Sequence, residues 1–164
     1  MRGAWDRFWA WYEKYYLVNV GVSAVLFLLQ VAHLYWLATD VIAERLVGVS
    51  YFPASETVIV LLLFVDYIEI PTLISVSLIY VNELRKGFNW RSATLLFLLN
   101  TQWLHIFWIT DELAVSIFTG EQSTVLPVWL AWVAILIDYL EVPVMIDTVW
   151  RFVTAPRPKS WTEA

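Results

Sequence analysis

Cysteine is absent from this 164-residue chain. Disulfides, thiolate metal sites and cysteine nucleophiles are thereby excluded, and the redox compartment is left undefined. Charge is scarce: Asp, Glu, Lys and Arg make up 15% of the residues, against about a quarter in soluble domains. No basic stripe occurs, so nothing supports nucleic-acid binding. No Walker loop, Rossmann fingerprint or G-x-S-x-G elbow is found, so those signatures of nucleotide and hydrolase chemistry are missing. No long linker and no low-complexity tract divides the chain, and a single domain over 1–164 is expected.

What the chain has in excess is apolar surface. It is 60% hydrophobic and holds 11 Trp, 9 Phe and 8 Tyr, more than a soluble fold of this size could hide. The expected class is an all-α integral membrane protein. Four apolar segments, at about 17–42, 56–82, 92–114 and 125–152, are each long enough to cross a bilayer, which takes about 20 helical residues. Short connections punctuated by Gly48, Pro53, Gly87 and Gly120 join them.

Basic residues are distributed unevenly. Arg2, Arg7 and Lys14 precede the first segment; Arg85, Lys86 and Arg91 lie between the second and third; Arg151, Arg157 and Lys159 lie at the end. The other two connections hold Arg45 alone, among Asp40, Glu44, Glu56, Asp111, Glu112 and Glu121. The positive-inside rule then predicts a multi-pass protein with both termini cytoplasmic. Residues 1–16 lack a signal-peptide cleavage site. Trp5, Phe8, Trp9, Tyr12 and Tyr16 recur there at helical spacing with charges between them, which predicts an amphipathic helix in the headgroup layer.

Inside the apolar runs a pattern repeats at a shift of 72 positions. Gln30 falls on Gln102, His33 on His105 and Trp36 on Trp108. Asp66 falls on Asp138, Tyr67 on Tyr139, Glu69 on Glu141 and Pro71 on Pro143. Both histidines of the chain belong to the matched set. The expected architecture is a four-transmembrane-helix bundle made by tandem duplication of a two-helix hairpin. Repeat one spans about 17–84 and repeat two about 89–156, related by a pseudo-two-fold axis along the membrane normal. Polar residues are matched in a medium that penalises them. Four intramembrane carboxylates cost on the order of 10 kcal/mol on insertion scales, so something must offset them.

Helical rise places His33 ~13 Å and Asp66 ~15 Å below the same membrane face, with Gln30 and Glu69 about a turn deeper. Two layers of polar groups are therefore expected near mid-membrane. Four carboxylates and two imidazoles suit two divalent cations, iron or manganese foremost and zinc less specifically. His33, Asp66, Glu69, His105, Asp138 and Glu141 are the candidate ligands. Gln30, Gln102, Tyr67 and Tyr139 are candidate supporting residues around them. In number and symmetry these ligands resemble those of ferritin-like di-iron carboxylate proteins, which also build their site in a four-helix core. There the motif is Glu-x-x-His on one helix; here histidine and carboxylates lie on different helices.

The function expected is a membrane metalloprotein, with metal-dependent oxidoreductase chemistry compatible with it. The alternative is a divalent-cation or proton transporter, with Asp40 and Glu112 as an acidic outer mouth and Asp147 extending a path inward. A third reading is an accessory subunit, structural or heme-binding through the two histidines, although heme has no use for four carboxylates. A metal-free Asp/Glu–His–Gln network holding the helices together is the bland counterpart of all three. Trp36, Trp103, Trp108, Trp129 and Trp132 either line a lipid or quinone pocket or, more ordinarily, serve packing and the interface. The bilayer and metal ions are the partners expected, and the sequence leaves open a homo-oligomer or larger membrane complex.

Overall fold

The computed structural model describes residues 3–111, 115–120 and 128–155. These are helical, without strands. Helix α1 (Ala4–Lys14) turns at Tyr15 into α2 (Tyr16–Leu37), and a π-helical turn (Ala38–Ile42) joins α2 to α3 (Ala43–Val47). Gly48 ends that run in the left-handed conformation, φ 73°, which glycine adopts without steric penalty. Helix α4 (Glu56–Lys86) starts at Ser55, whose side chain accepts from the Val58 N–H at 3.4 Å. Then come α5 (Trp90–Asn100), α6 (Gln102–Ile109), α7 (Val115–Thr119), α8 (Val128–Leu140) and α9 (Val142–Thr154).

Three helical runs are long and apolar enough to cross a membrane: Tyr16–Val47, Glu56–Lys86 and Trp129–Thr154. The third segment expected from the sequence, 92–114, is not among them. It is divided at Thr101 between α5 and α6, and its residues 112–114 lie outside the described residues. The division has a local cause. The Thr101 hydroxyl donates to the Leu98 carbonyl at 2.6 Å, and the Leu104 N–H takes the Thr101 carbonyl at 3.0 Å, one residue short of α-helical spacing. Such back-bonding by threonine bends a helix.

Helix α2 packs along α4 and α9, α5 packs against α4 and α9, and α6 packs against α8 and α4. The α2 and α5–α6 rods therefore face each other across a core walled by α4 on one side and α8–α9 on the other. Gly21 permits the close approach of α2 to α9: a Cβ there would meet the Phe152 ring at 2.8 Å. The apolar part of the core centres on Phe27, Leu73, Val76, Ile79, Leu99 and Val144.

Helix α1 docks on the C-terminal half of α4. Trp9 and Tyr12 are buried there, and the Tyr12 hydroxyl donates to the Ser75 carbonyl at 2.9 Å. Glu13 pairs with Lys86 at 2.5 Å and accepts from Asn82 at 3.3 Å, while the Arg85 guanidinium lies 4.6 Å over the Trp9 ring. Trp5, Trp11 and Tyr15 remain exposed. Arg2, Arg157 and Lys159, which the orientation argument used, lie outside the described residues.

The same end of the molecule carries a clamp on the buried Asp147 that the sequence reading did not anticipate. Asp147 accepts from the Tyr80 hydroxyl at 2.9 Å, from Arg91 at 2.7 Å and from Arg151 at 2.5 Å. Arg151 also reaches Glu83, which accepts from the Ser92 hydroxyl at 2.6 Å. Asp147 is thus a tie between α4, α5 and α9, not the free carboxylate that an inward path would use.

Two outcomes follow from this end of the fold. Asp147→Ala leaves the buried Tyr80 hydroxyl without this acceptor and Arg151 with Glu83 alone, and should cost about 1–2 kcal/mol, read as a lowered thermal midpoint in detergent. Lys86 and Asn82 hold the Glu13 carboxyl below its ordinary value of 4.5. A depressed carboxylate stabilises the docked helix above its unfolded-state value and loses that contribution as pH falls through the lower, folded one. Hydrogen exchange of residues 4–14 should therefore quicken as pH falls below about 4.5, once corrected for the intrinsic rate, and Glu13→Gln should flatten that dependence.

Candidate metal centre

All eight polar residues matched at the shift of 72, apart from the tyrosines, are buried. Gln30, His33, Asp66, Glu69, Gln102, His105, Asp138 and Glu141 are each no more than 6% exposed. They converge from α2, α4, α6 and α8, with Glu141 at the junction of α8 and α9. Two layers result.

The layer nearer the Asp40 end contains His33, Asp66, His105 and Asp138. His33 Nδ1 lies 3.0 Å from Asp66 Oδ1, and His105 Nδ1 lies 2.8 Å from Asp138 Oδ1. The second Asp138 oxygen is 3.9 Å from His33 Nε2. The imidazole rings stand edge to face with centroids 6.4 Å apart. One donor atom from each of His33, Asp66 and His105 falls within 4.8 Å of the others.

These short contacts are not aligned hydrogen bonds: neither ring nitrogen of His33 or His105 has a hydrogen-bond partner. The same distances are those of ion pairs when the imidazoles are protonated. Atoms about 2.1 Å from a shared ion and at right angles about it would lie about 3 Å apart. The spacing thus suits common ligation.

The second layer contains Gln30, Glu69, Glu141 and Gln102. Gln30 Nε2 donates to Glu69 Oε2 at 2.9 Å and, at 3.5 Å, to Asp66 Oδ1, so it links the layers. Glu69 and Glu141 meet carboxyl to carboxyl. Gln102 behaves differently from Gln30. Its Nε2 donates to the Ile137 carbonyl at 3.0 Å.

The cause of that difference is local. The helix breaks at Glu141, two residues before Pro143, which has no N–H to donate. The Glu141 N–H turns onto the Asp138 carbonyl at 3.2 Å, leaving its regular α-helical acceptor, Ile137, to the Gln102 amide. At Pro71 helix α4 continues unbroken, so Gln30 has no such backbone vacancy to fill.

Buried polar atoms nearly always have partners. Among the described residues, most of the buried side-chain polar atoms that lack one belong to the matched set: both nitrogens of both histidines, Asp138 Oδ2, and one oxygen each of Gln30, Glu69, Gln102 and Glu141. No basic side chain bonds to the set among the described residues; Arg91 and Arg151 are tied to Asp147 and Glu83. Unfilled acceptor capacity is therefore concentrated where four carboxylates gather.

No family model matches this chain. No curated protein and no solved structure matches it either, so the site is read from its own residues.

The two tyrosines named with the site point elsewhere. Tyr139 donates to the Leu34 carbonyl at 3.1 Å. Tyr67 shares a 2.7 Å hydrogen bond with the Thr110 hydroxyl, which donates to the Ile106 carbonyl at 2.7 Å. Leu34 and Ile106 are themselves matched positions, so each tyrosine serves the corresponding carbonyl, once directly and once through Thr110. The helices also change to π geometry at corresponding places, from Ala38 and at Thr110–Asp111. Thr110 and its relay were not identified from the sequence, because position 38 is alanine and offers no matched polar residue. Asp40 accepts from Ser50, whereas Glu112, its companion in the expected acidic mouth, lies outside the described residues.

Tyr139→Phe should lower stability by about 1 kcal/mol, the net worth of one hydrogen bond. Its ring stays, so any metal content should stay too. Unfolding in detergent together with elemental analysis checks both halves of that expectation.

Proposed function

We propose that this chain is an integral membrane protein that holds divalent metal in the core of four membrane-crossing segments. The observation that carries the reading is the buried His33–Asp66–His105–Asp138 layer, with short nitrogen–oxygen contacts and ring nitrogens left without hydrogen bonds. One ion is held there by His33, Asp66 and His105, with Asp138 beside them against His105. A second is held by Glu69 and Glu141, with the free oxygens of Gln30 and Gln102 beside them. Two divalent charges neutralise four carboxylates, so no net charge is left in a medium that penalises it. Mixed oxygen and imidazole ligation favours iron or manganese over zinc.

In this reading the two halves arose by duplication of a helical hairpin, and α5–α6 completes the third crossing with its unresolved polarity cost met inside the bundle. Helix α1 lies at the cytoplasmic interface, with Trp5, Trp11 and Tyr15 turned to lipid, and both termini are cytoplasmic. A bound ion would supply Lewis acidity and, as iron or manganese, redox chemistry. The protein's own residues would orient the ligands: Gln30 fixes Glu69 and Asp66, and Gln102 stabilises the broken backbone beside Asp138. A metal-dependent oxidoreductase is the activity this arrangement suits best.

Protein purified without added metal or chelator should contain about two iron or manganese ions per chain on this ligand count. His33→Ala should empty the His/Asp layer, and Glu69→Gln should empty the deeper one. One ion, lost in His33→Ala and kept in Glu69→Gln, would confine the site to the His/Asp layer. Absence of metal, with no thermal shift on adding Mn²⁺ or Fe²⁺, would leave a protonated network that only holds the helices together. Rapid Mn²⁺ flux into liposomes with no retained ion would favour transport.

A further inference from the structure

A cavity of about 370 Å³ opens onto the His/Asp layer. His33, Asp66, His105 and Asp138 form its floor, and Leu37, Ile59, Leu62, Ala131 and Ile135 make up much of its wall. Its size lies at the small end of organic-ligand pockets, which are also mainly apolar with a few placed polar groups. Aliphatic side chains offer a hydrated cation nothing in exchange for its water shell. The wall therefore fits an organic molecule better than an ion path.

Two more polar groups border the cavity, and neither is an acceptor. One is Arg45, which is exposed; the other is Trp36, whose indole N–H is buried without a partner. Both groups can only donate hydrogen bonds. The complementary ligand carries an acceptor at its polar end, and opposite a guanidinium that acceptor is best an anion. Arg45 lies just beyond the π-helical turn Ala38–Ile42. Such turns are frequent at functional sites.

We infer that this cavity binds a long-chain carboxylate drawn from the bilayer, with its anionic head at Arg45 and its hydrocarbon over the His/Asp layer. The inference deepens the metal-binding reading and rests on it only for what lies at the cavity floor.

The test uses the full chain in nanodiscs with a photoreactive long-chain fatty acid, and measures labelled peptides and metal content on the same preparation. Labelling should fall on residues 59–66 and 131–138. Arg45→Gln should weaken binding about tenfold, the worth of one charge-assisted hydrogen bond. Ala131→Trp, which fills the cavity, should abolish labelling there and leave metal content unchanged. Equal labelling of wild type and Ala131→Trp would overturn the inference, as would a fatty alcohol competing as well as the acid. Competition by an anionic phospholipid but not by free fatty acid would overturn the carboxylate assignment. Cavity labelling without metal would sustain the inference and sink the metal reading; metal without cavity labelling would do the reverse.

Discussion

A carboxylate removed from water must find a proton, a donor or a cation. The core of this protein gathers four carboxylates within one set of packed helices, and the surrounding structure can be understood from how that requirement is met. Gln30 supplies one donor group, shared between Glu69 and Asp66. The two glutamates face each other, and the two histidines lie beside the aspartates without aligned hydrogen bonds. Arg91 and Arg151 are held elsewhere by Asp147 and Glu83. Protons on the histidines and glutamates, or cations from outside the chain, supply the rest of the balance, and metal binding is the reading favoured here.

The site and the backbone shape each other. Glu141 sits where the helix hydrogen-bond pattern breaks, and Gln102 caps the carbonyl that the break releases. Its counterpart Gln30 faces an unbroken helix and turns its amide to a carboxylate instead. Two glutamines at matched positions thus do different work because one proline interrupts its helix and the other does not. The arrangement is two-fold in its ligands and not in its support. The cavity over the His/Asp layer keeps the two-fold pattern, pairing Ile59 with Ala131, Leu62 with Ala134 and Leu63 with Ile135, and departs from it, among the described residues, at Trp36 and Arg45.

Much of the candidate site was legible in the sequence because polar residues stand out in apolar runs. The period-72 match picked Gln30, His33, Asp66 and Glu69 with their partners, and helical rise alone paired His33 with Asp66 and Gln30 with Glu69 in depth. Both pairs lie within 3.0 Å. Less was legible where backbone and side chain trade hydrogen bonds. The division of the third segment at Thr101 depends on a hydroxyl turned back onto Leu98, and hydropathy does not register it. Tyr67 and Tyr139 flank carboxylates in sequence, yet a one-residue step carries their hydroxyls to neighbouring helices. The Asp147 clamp was misread for a related reason. Its spacing to Arg151 is visible along one helix, whereas Tyr80 and Arg91 reach Asp147, and Glu83 reaches Arg151, only through the packing of α4 and α5.

The clamp and the docked helix α1 lie at the end of the molecule away from the cavity. The central claim is that His33, His105 and Asp66 bind one ion. X-ray absorption at the edge of the metal carried by the purified protein tests it most directly. The account predicts a first shell of mixed nitrogen and oxygen with imidazole scattering beyond it, and a clear loss of that scattering in His105→Ala. An all-oxygen shell with no imidazole signal, unchanged in His105→Ala, would contradict it.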